Sequence, residues 1–256
     1  MYYLHIDDLR VSLLSQADTQ PNLVGRNIIP GAFAEVLADF SSAFRAKQLD
    51  VLVSGPTTIV PTAELNVAPE KQDLIFNSCF NFLDNSPRRV FFDEIPALHS
   101  HLLFAVKDNV CNEIIEQFSE AEIRFTSALT PLLRYFSDQY DGKRRFRVYL
   151  NCRYRFIDVF AFDGRQLVVL NSFPVNAVSD AVYYTLSFSK VVGLDVATVP
   201  YYVVGDHTMS KTIVEQLSAF AHNVCMKTLE EEFGTSPLTT NPEIPYALSA
   251  HILCAS

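Results

Sequence analysis

The 256 residues carry a formal net charge of -9 with a pI near 5.1, are 49% hydrophobic and 19% charged, and include 20 Phe and 11 Tyr. Such a chain can bury a sizeable core in one large or two smaller domains and is not disordered. Its charge excludes general affinity for nucleic acid or an anionic membrane surface, both of which need a positive field.

Glycine is scarce: 8 in the whole chain, about 3% against an average usage of roughly 7%. Backbone N–H groups that cradle phosphate must reach the ligand with no Cβ in the way, so the shortage argues against nucleotide binding. The five cysteines (Cys79, Cys111, Cys152, Cys225, Cys254) are odd in number and widely spaced, with no C-x-x-C pair. Neither a zinc site nor a disulfide framework is expected, and most of them sit among apolar residues, as buried free thiols do. The N-terminal MYYLHIDDLR has two aspartates where a signal peptide needs a continuous apolar run, and no stretch has the length of a membrane helix. A cytoplasmic protein is expected.

In chain order, YYLHI and LRVSLLS read as a hairpin turning at Asp7 and Asp8, with a third short strand near Leu23 to Ile29. Pro30 and Gly31 precede AFAEVLADFSSAFRAK, where Phe33, Val36, Leu37, Phe40 and Phe44 share one helical face. DVLVSG and TTIVP read as strands, 69–80 as a helix, RVFFDEI and SHLLFAV as strands joined through Pro96, NVCNEIIEQF as a helix and EIRFTSA as a strand. ALTPLLRYFSDQY is a helix with Pro131 in its first turn, where proline is tolerated.

RFRVYLNC, FIDVFAF and RQLVVLNSF then form three strands, the second turn being Asp163-Gly164. Ser179 is the expected cap of the helix DAVYYTLSFSKVVG, which stops at Gly193. PYYVVGD is a strand, MSKTIVEQLSAFA a helix and NVCMKTL a strand; an acidic, Pro-bearing loop leads to a final helix, YALSAHILC.

KRRFRVYLNCRYRF holds six of the chain's 20 basic residues. Its odd positions Arg145, Arg147, Tyr149 and Asn151 share one face and its even positions are apolar, the pattern of a half-buried strand with a wet basic face. His99-Ser100-His101 has metal-compatible spacing but no further ligand near it, and no G-x-S-x-G or other nucleophile motif occurs. No metal site is expected.

The second half reads β-β-β-α-β-α-β-α and the first half opens the same way, which suggests an internal duplication with halves at 1–142, carrying inserted strands and helices, and 143–256. RVFFDEIPALHSHLLFAV and FIDVFAFDGRQLVVLNSFPVNAVSDAVYYTLSFSKVVGLDVATVPYYVVGD are the stretches that point to a family. Asn171-Ser172-Phe173, Tyr183-Tyr184, Leu194-Asp195 and Val199-Pro200 are most distinctive. They resemble an uncharacterised bacterial family of the actin-like ATPase and ribonuclease H-like superfamily. The resemblance implies an α/β fold in two ribonuclease H-like halves, each with a mixed sheet flanked by helices.

Actin-like ATPases hold phosphates on two D-x-G hairpin turns and adenine on a glycine-rich turn. The positions that match here are Asp7 and Asp8, with no glycine following; Asn151, Arg153 and Arg155, with arginine where Asp and Gly stand; and Gly205 with Asp206, a single glycine where the family pattern has two or three. These seven residues are the candidate cleft. A ribonuclease H-like nuclease needs three or four carboxylates, of which Asp7 and Asp158 are the only ones nameable. The expectation is therefore a degenerate actin-like fold without a cofactor, acting as a binding or scaffold protein through protein partners or self-association, not through nucleic acid or a membrane span. The alternative is an ATP- and Mg-binding protein with altered phosphate loops, in which Arg153 or Arg155 replaces the missing N–H donors.

Overall fold

The computed structural model describes residues 1–7, 10–17, 20–27, 32–43, 47–65, 69–80, 86–143, 145–205 and 207–255. They pack as two compact units, Met1–Ile95 with His99–Thr130 and Pro96–Leu98 with Pro131–Ser256. No helix among the described residues is long and apolar enough to cross a membrane.

The first unit opens with β1 (Tyr2–Asp7), β2 (Arg10–Ala17), β3 (Gln20–Asn27), α1 (Phe33–Ala43) and β4 (Gln48–Val53). An excursion follows: β5 (Thr57–Pro61), α2 (Thr62–Leu65), α3 (Pro69–Cys79), β6 (Arg88–Ile95), a 3-10 turn at Pro96–Leu98 and β7 (Ser100–Lys107). The chain returns through α4 (Asp108–Gln117) and β8 (Glu122–Ser127) and leaves on α5 (Thr130–Asp138). The main sheet has the order β3-β2-β1-β4-β8, and the excursion makes a second sheet, β5-β7-β6.

Period-two alternation sends Leu4, Val11, Leu13 and Val51 to one face, where they meet Leu37 and Phe40 of α1 and Ile114 of α4. Each such fully buried side chain contributes about 1.5–3 kcal/mol. The opposite face of that sheet is also buried and mixes polar with apolar side chains: His5, Ser12, Asp50 and Thr126 lie on it beside Leu14 and Leu52.

The second unit contains α5 from Pro131 onward, β9 (Phe146–Cys152), β10 (Phe156–Asp163), β11 (Gln166–Pro174), α6 (Val178–Val191), β12 (Tyr201–Gly205), α7 (His207–Leu217), β13 (Val224–Met226), α8 (Leu229–Phe233), α9 (Pro237–Thr240) and α10 (Tyr246–Ala255). Its sheet order is β11-β10-β9-β12-β13. In both five-stranded sheets the first three strands pair antiparallel and the last two join in parallel. The two units thus repeat one topology, the second without the excursion.

Several sequence expectations need correction. The strand β9 has no wet basic face: Arg147, Tyr149 and Asn151 are all buried. The reason is that Phe136 of α5 stacks on Tyr149 at 4.3 Å, while Ala181, Val182 and Phe188 of α6 pack the core cluster that includes Val148 and Leu150, so the central strand is covered on both faces. Ser179 does not cap α6; the helix begins at Val178, and Asp180 Oδ2 accepts the N–H groups of Asn176 and Ala177 at 2.9 and 3.0 Å. The loop after β13 contains α8, started by Thr228 in a capping box with Glu231, and α9. Most cysteines are not buried: Cys79, Cys225 and Cys254 are exposed, and Cys111 and Cys152 are buried.

Candidate functional site

The second β-hairpin of interest closes at Arg153, whose N–H donates to the Phe156 carbonyl at 2.9 Å, leaving Tyr154 and Arg155 as a two-residue tip. Two residues back, Asn151, Asp158 and Ser172 stand in register across β9, β10 and β11 and therefore on one face. Asp158 is fully buried and its carboxylate takes four hydrogen bonds. Arg153 donates from Nε to Oδ2 at 2.8 Å and from Nη2 to Oδ1 at 2.9 Å. Asn151 Nδ2 donates to Oδ2 at 2.9 Å, and Ser172 Oγ to Oδ1 at 2.6 Å. The Arg153 guanidinium also lies 5.2 Å from the Phe156 ring centre. The two candidate residues Asn151 and Arg153 are thus brought together, but toward a buried internal carboxylate.

Gly205 ends β12 in register with Cys152 of β9. Its φ is +98°, and a Cβ there would sit 2.2 Å from the Cys152 carbonyl oxygen and 2.8 Å from its nitrogen. Glycine is required at this position because two strand backbones touch. Asp206 and Asp8 lie outside the described residues. Arg155 is exposed at the hairpin tip. Asp7 is the last residue of β1, in register with Arg10 across the first hairpin of the other unit.

The carboxyl end of β13 adds a residue that no sequence pattern singled out. Lys227 Nζ lies 2.5 Å from Glu232 Oε1 and 5.7 Å from the Tyr202 ring centre, and Tyr135 donates its hydroxyl to Glu232 Oε2 at 2.9 Å. Burial first, then the hydrogen bond to Glu232, pushes the Tyr135 hydroxyl well above the usual phenol range. The only local signal was the capping box just after Lys227, which places Glu232 one turn away. Arg147 is a buried cation, held by carbonyls and rings: Nη2 donates to Gly164 O at 2.6 Å, Nη1 to Phe136 O at 3.3 Å and to Tyr149 Oη at 3.1 Å. Arg145 is exposed and pairs with both oxygens of Asp163 at 2.7 Å.

In the first unit, His5 and Ser54 are isolated in sequence yet meet in space, His5 Nε2 and Ser54 Oγ being 3.0 Å apart. Ser12, His5, Leu52 and Thr126 form one row across β2, β1, β4 and β8. His101 lies edge-on to Phe92 at 5.3 Å, and among the described residues no group of 3 or more His, Cys, Asp or Glu side chains could hold an ion.

Residues 46–224 match the model of DUF3822, a protein family of unknown function, and the chain belongs to that family. No protein of curated function matches the sequence. Among solved structures, the chain is similar to a Bacteroides thetaiotaomicron protein with an actin-like ATPase fold and unknown function, at TM-score 0.73 and 21% identity over 88% of this chain and 90% of that one. It is also similar to a chain of the PilM-PilN type IV pilus biogenesis complex (TM-score 0.60, 11% identity, 99% and 97% coverage). A third likeness is to the AlfA filament from a B. subtilis plasmid (TM-score 0.51, 9% identity, 100% and 98% coverage). These likenesses establish the actin-like ATPase fold.

Proposed function

We propose that this member of the DUF3822 family is a non-catalytic binding or scaffold protein that keeps an actin-like ATPase fold and works through protein partners. The observation that carries this reading is the bidentate bond from Arg153 to the buried Asp158. A phosphate site needs uncommitted N–H groups and uncommitted positive charge. At the carboxyl ends of β9 and β13 the cations Arg153 and Lys227 are each neutralised by a carboxylate of the same unit. At the end of β12 the glycine is consumed by contact with Cys152. One of the structures with this fold is a protein–protein complex, that of PilM with PilN, which favours a protein partner over a small molecule.

The second reading, a nucleotide-binding protein with altered loops, draws on the polar row of the first unit, where Ser12, His5 and Thr126 are buried beside Ser54. Thermal denaturation with and without millimolar Mg-ATP or Mg-ADP separates the two. The binding-protein reading expects an unchanged melting temperature. A ligand present at 100 times its Kd would stabilise by about 2.7 kcal/mol and raise it visibly. A micromolar Mg-ATP isotherm by titration calorimetry would overturn the first reading.

A further inference from the structure

At the tip of the β9–β10 hairpin, Tyr154 is 68% exposed and Arg155 is exposed beside it. The Arg155 carbonyl accepts the Val175 N–H at 2.8 Å, which sets the tip against the connection from β11 to α6. On either side of that connection, Phe173 of β11 stacks on Tyr184 of α6 at 4.8 Å, and Tyr184 meets Tyr183 edge-on at 5.5 Å. Tyr183 is 65% exposed. The uncharged segment 173–177 therefore links the two exposed tyrosines, bonding to the hairpin tip through Val175 and reaching Tyr183 through the rings of Phe173 and Tyr184.

Arg153 is bound to Asp158, and Asp180 is committed to the N–H groups at the start of its own helix. Among the described residues Arg155 makes no ion pair. Strand addition is blocked at the neighbouring edge: β11 bulges at Val168, the Ser172 N–H bonds to Asn171 Oδ1 at 2.9 Å, and Pro174 has no N–H. A partner must therefore engage side chains. Tyr and Arg are the residue types that anchor interfaces. The four bonds on Asp158 hold the hairpin rigid, so little ordering entropy is lost on binding.

We propose that Tyr154, Arg155 and Tyr183 form a docking surface for a protein segment that presents a carboxylate, from Asp, Glu or a chain terminus, next to an apolar side chain. Arg155 takes the carboxylate with its planar fork and the two tyrosine rings cover the apolar group. This rests on the binding-protein reading.

The test places a photo-cross-linking amino acid at position 154 of the full chain in its host cells, and in a second strain at Phe220, which is 58% exposed. The expected result is a cross-link from 154 to a carboxylate-bearing segment, identified by peptide sequencing. Arg155→Glu or Tyr183→Ala should lower its yield roughly tenfold or more, with melting curves unchanged. A cross-linked segment without a carboxylate, or a yield indifferent to Arg155→Glu, overturns the proposal. A cross-link at 220 with none at 154 overturns this surface and leaves the binding-protein reading standing, whereas Mg-ATP binding overturns that reading itself.

Discussion

Arg153 grips both oxygens of Asp158, with the carboxylate fully buried and the arginine side chain 9% exposed. Removing either partner leaves a buried charge uncompensated, which costs about 3–5 kcal/mol. Arg153→Ala and Asp158→Asn should each lower the unfolding free energy by that order. The double variant should cost less than the two losses added together, because the stranded charge is gone. Urea unfolding checks this, followed by amide exchange in β9 and β10, since two units need not unfold together.

Gly205→Ala tests the contact with Cys152. The added methyl meets the backbone of Cys152, which cannot turn away as a flexible side chain would. The left-handed φ adds its own penalty, and the loss should exceed about 1 kcal/mol. Exchange protection should fall at the β9–β12 pair while the β10–β11 pair keeps its own.

A third test concerns the chain's exit from the first unit. Asp93 of β6 is buried, and its Oδ2 accepts the Ser127 N–H at 2.7 Å and the Thr130 hydroxyl at 2.5 Å, pinning the β8–α5 turn. Asp93→Ala strands a buried backbone donor and should destabilise by about 1–3 kcal/mol. Thr130→Val leaves the Ser127 bond in place and should cost less. Melting temperatures of the two variants rank them.

Cysteine reactivity should divide along burial. Cys79 and Cys225 are exposed and should react with iodoacetamide in the folded protein. Burial pushes the Cys111 thiol up to about 11 from an ordinary 9.0, so it should react only on unfolding. The folded state holds this proton more tightly than the unfolded chain. Its contribution to stability is therefore complete below pH 9.0 and lost as pH rises toward about 11. Cys111→Ser should change that alkaline dependence; an identical profile would exclude Cys111 as its source.

By itself the sequence determined most of the elements and their order. Alternation marked β9, short apolar runs marked β1, β4 and β10, the Asp163-Gly164 pair marked a hairpin whose glycine has φ +60°, and Gly193 marked the end of α6 with φ +79°. These are local effects of side-chain period and backbone freedom, which a single segment reports. It also marked the strand ends near which Asn151, Arg153 and Gly205 stand. The tertiary structure decided what those residues do. Arg147 looked solvated because its strand alternates, but a helix from earlier in the chain covers that face. Arg153 looked like a phosphate donor because the Asp158 that neutralises it is five residues away on the next strand, reachable only once the register is set. His5 and Ser54 are 49 residues apart and touch because β1 and β4 are adjacent and parallel. Partner choice among buried polar groups is fixed by non-local pairing, and local pattern does not carry it.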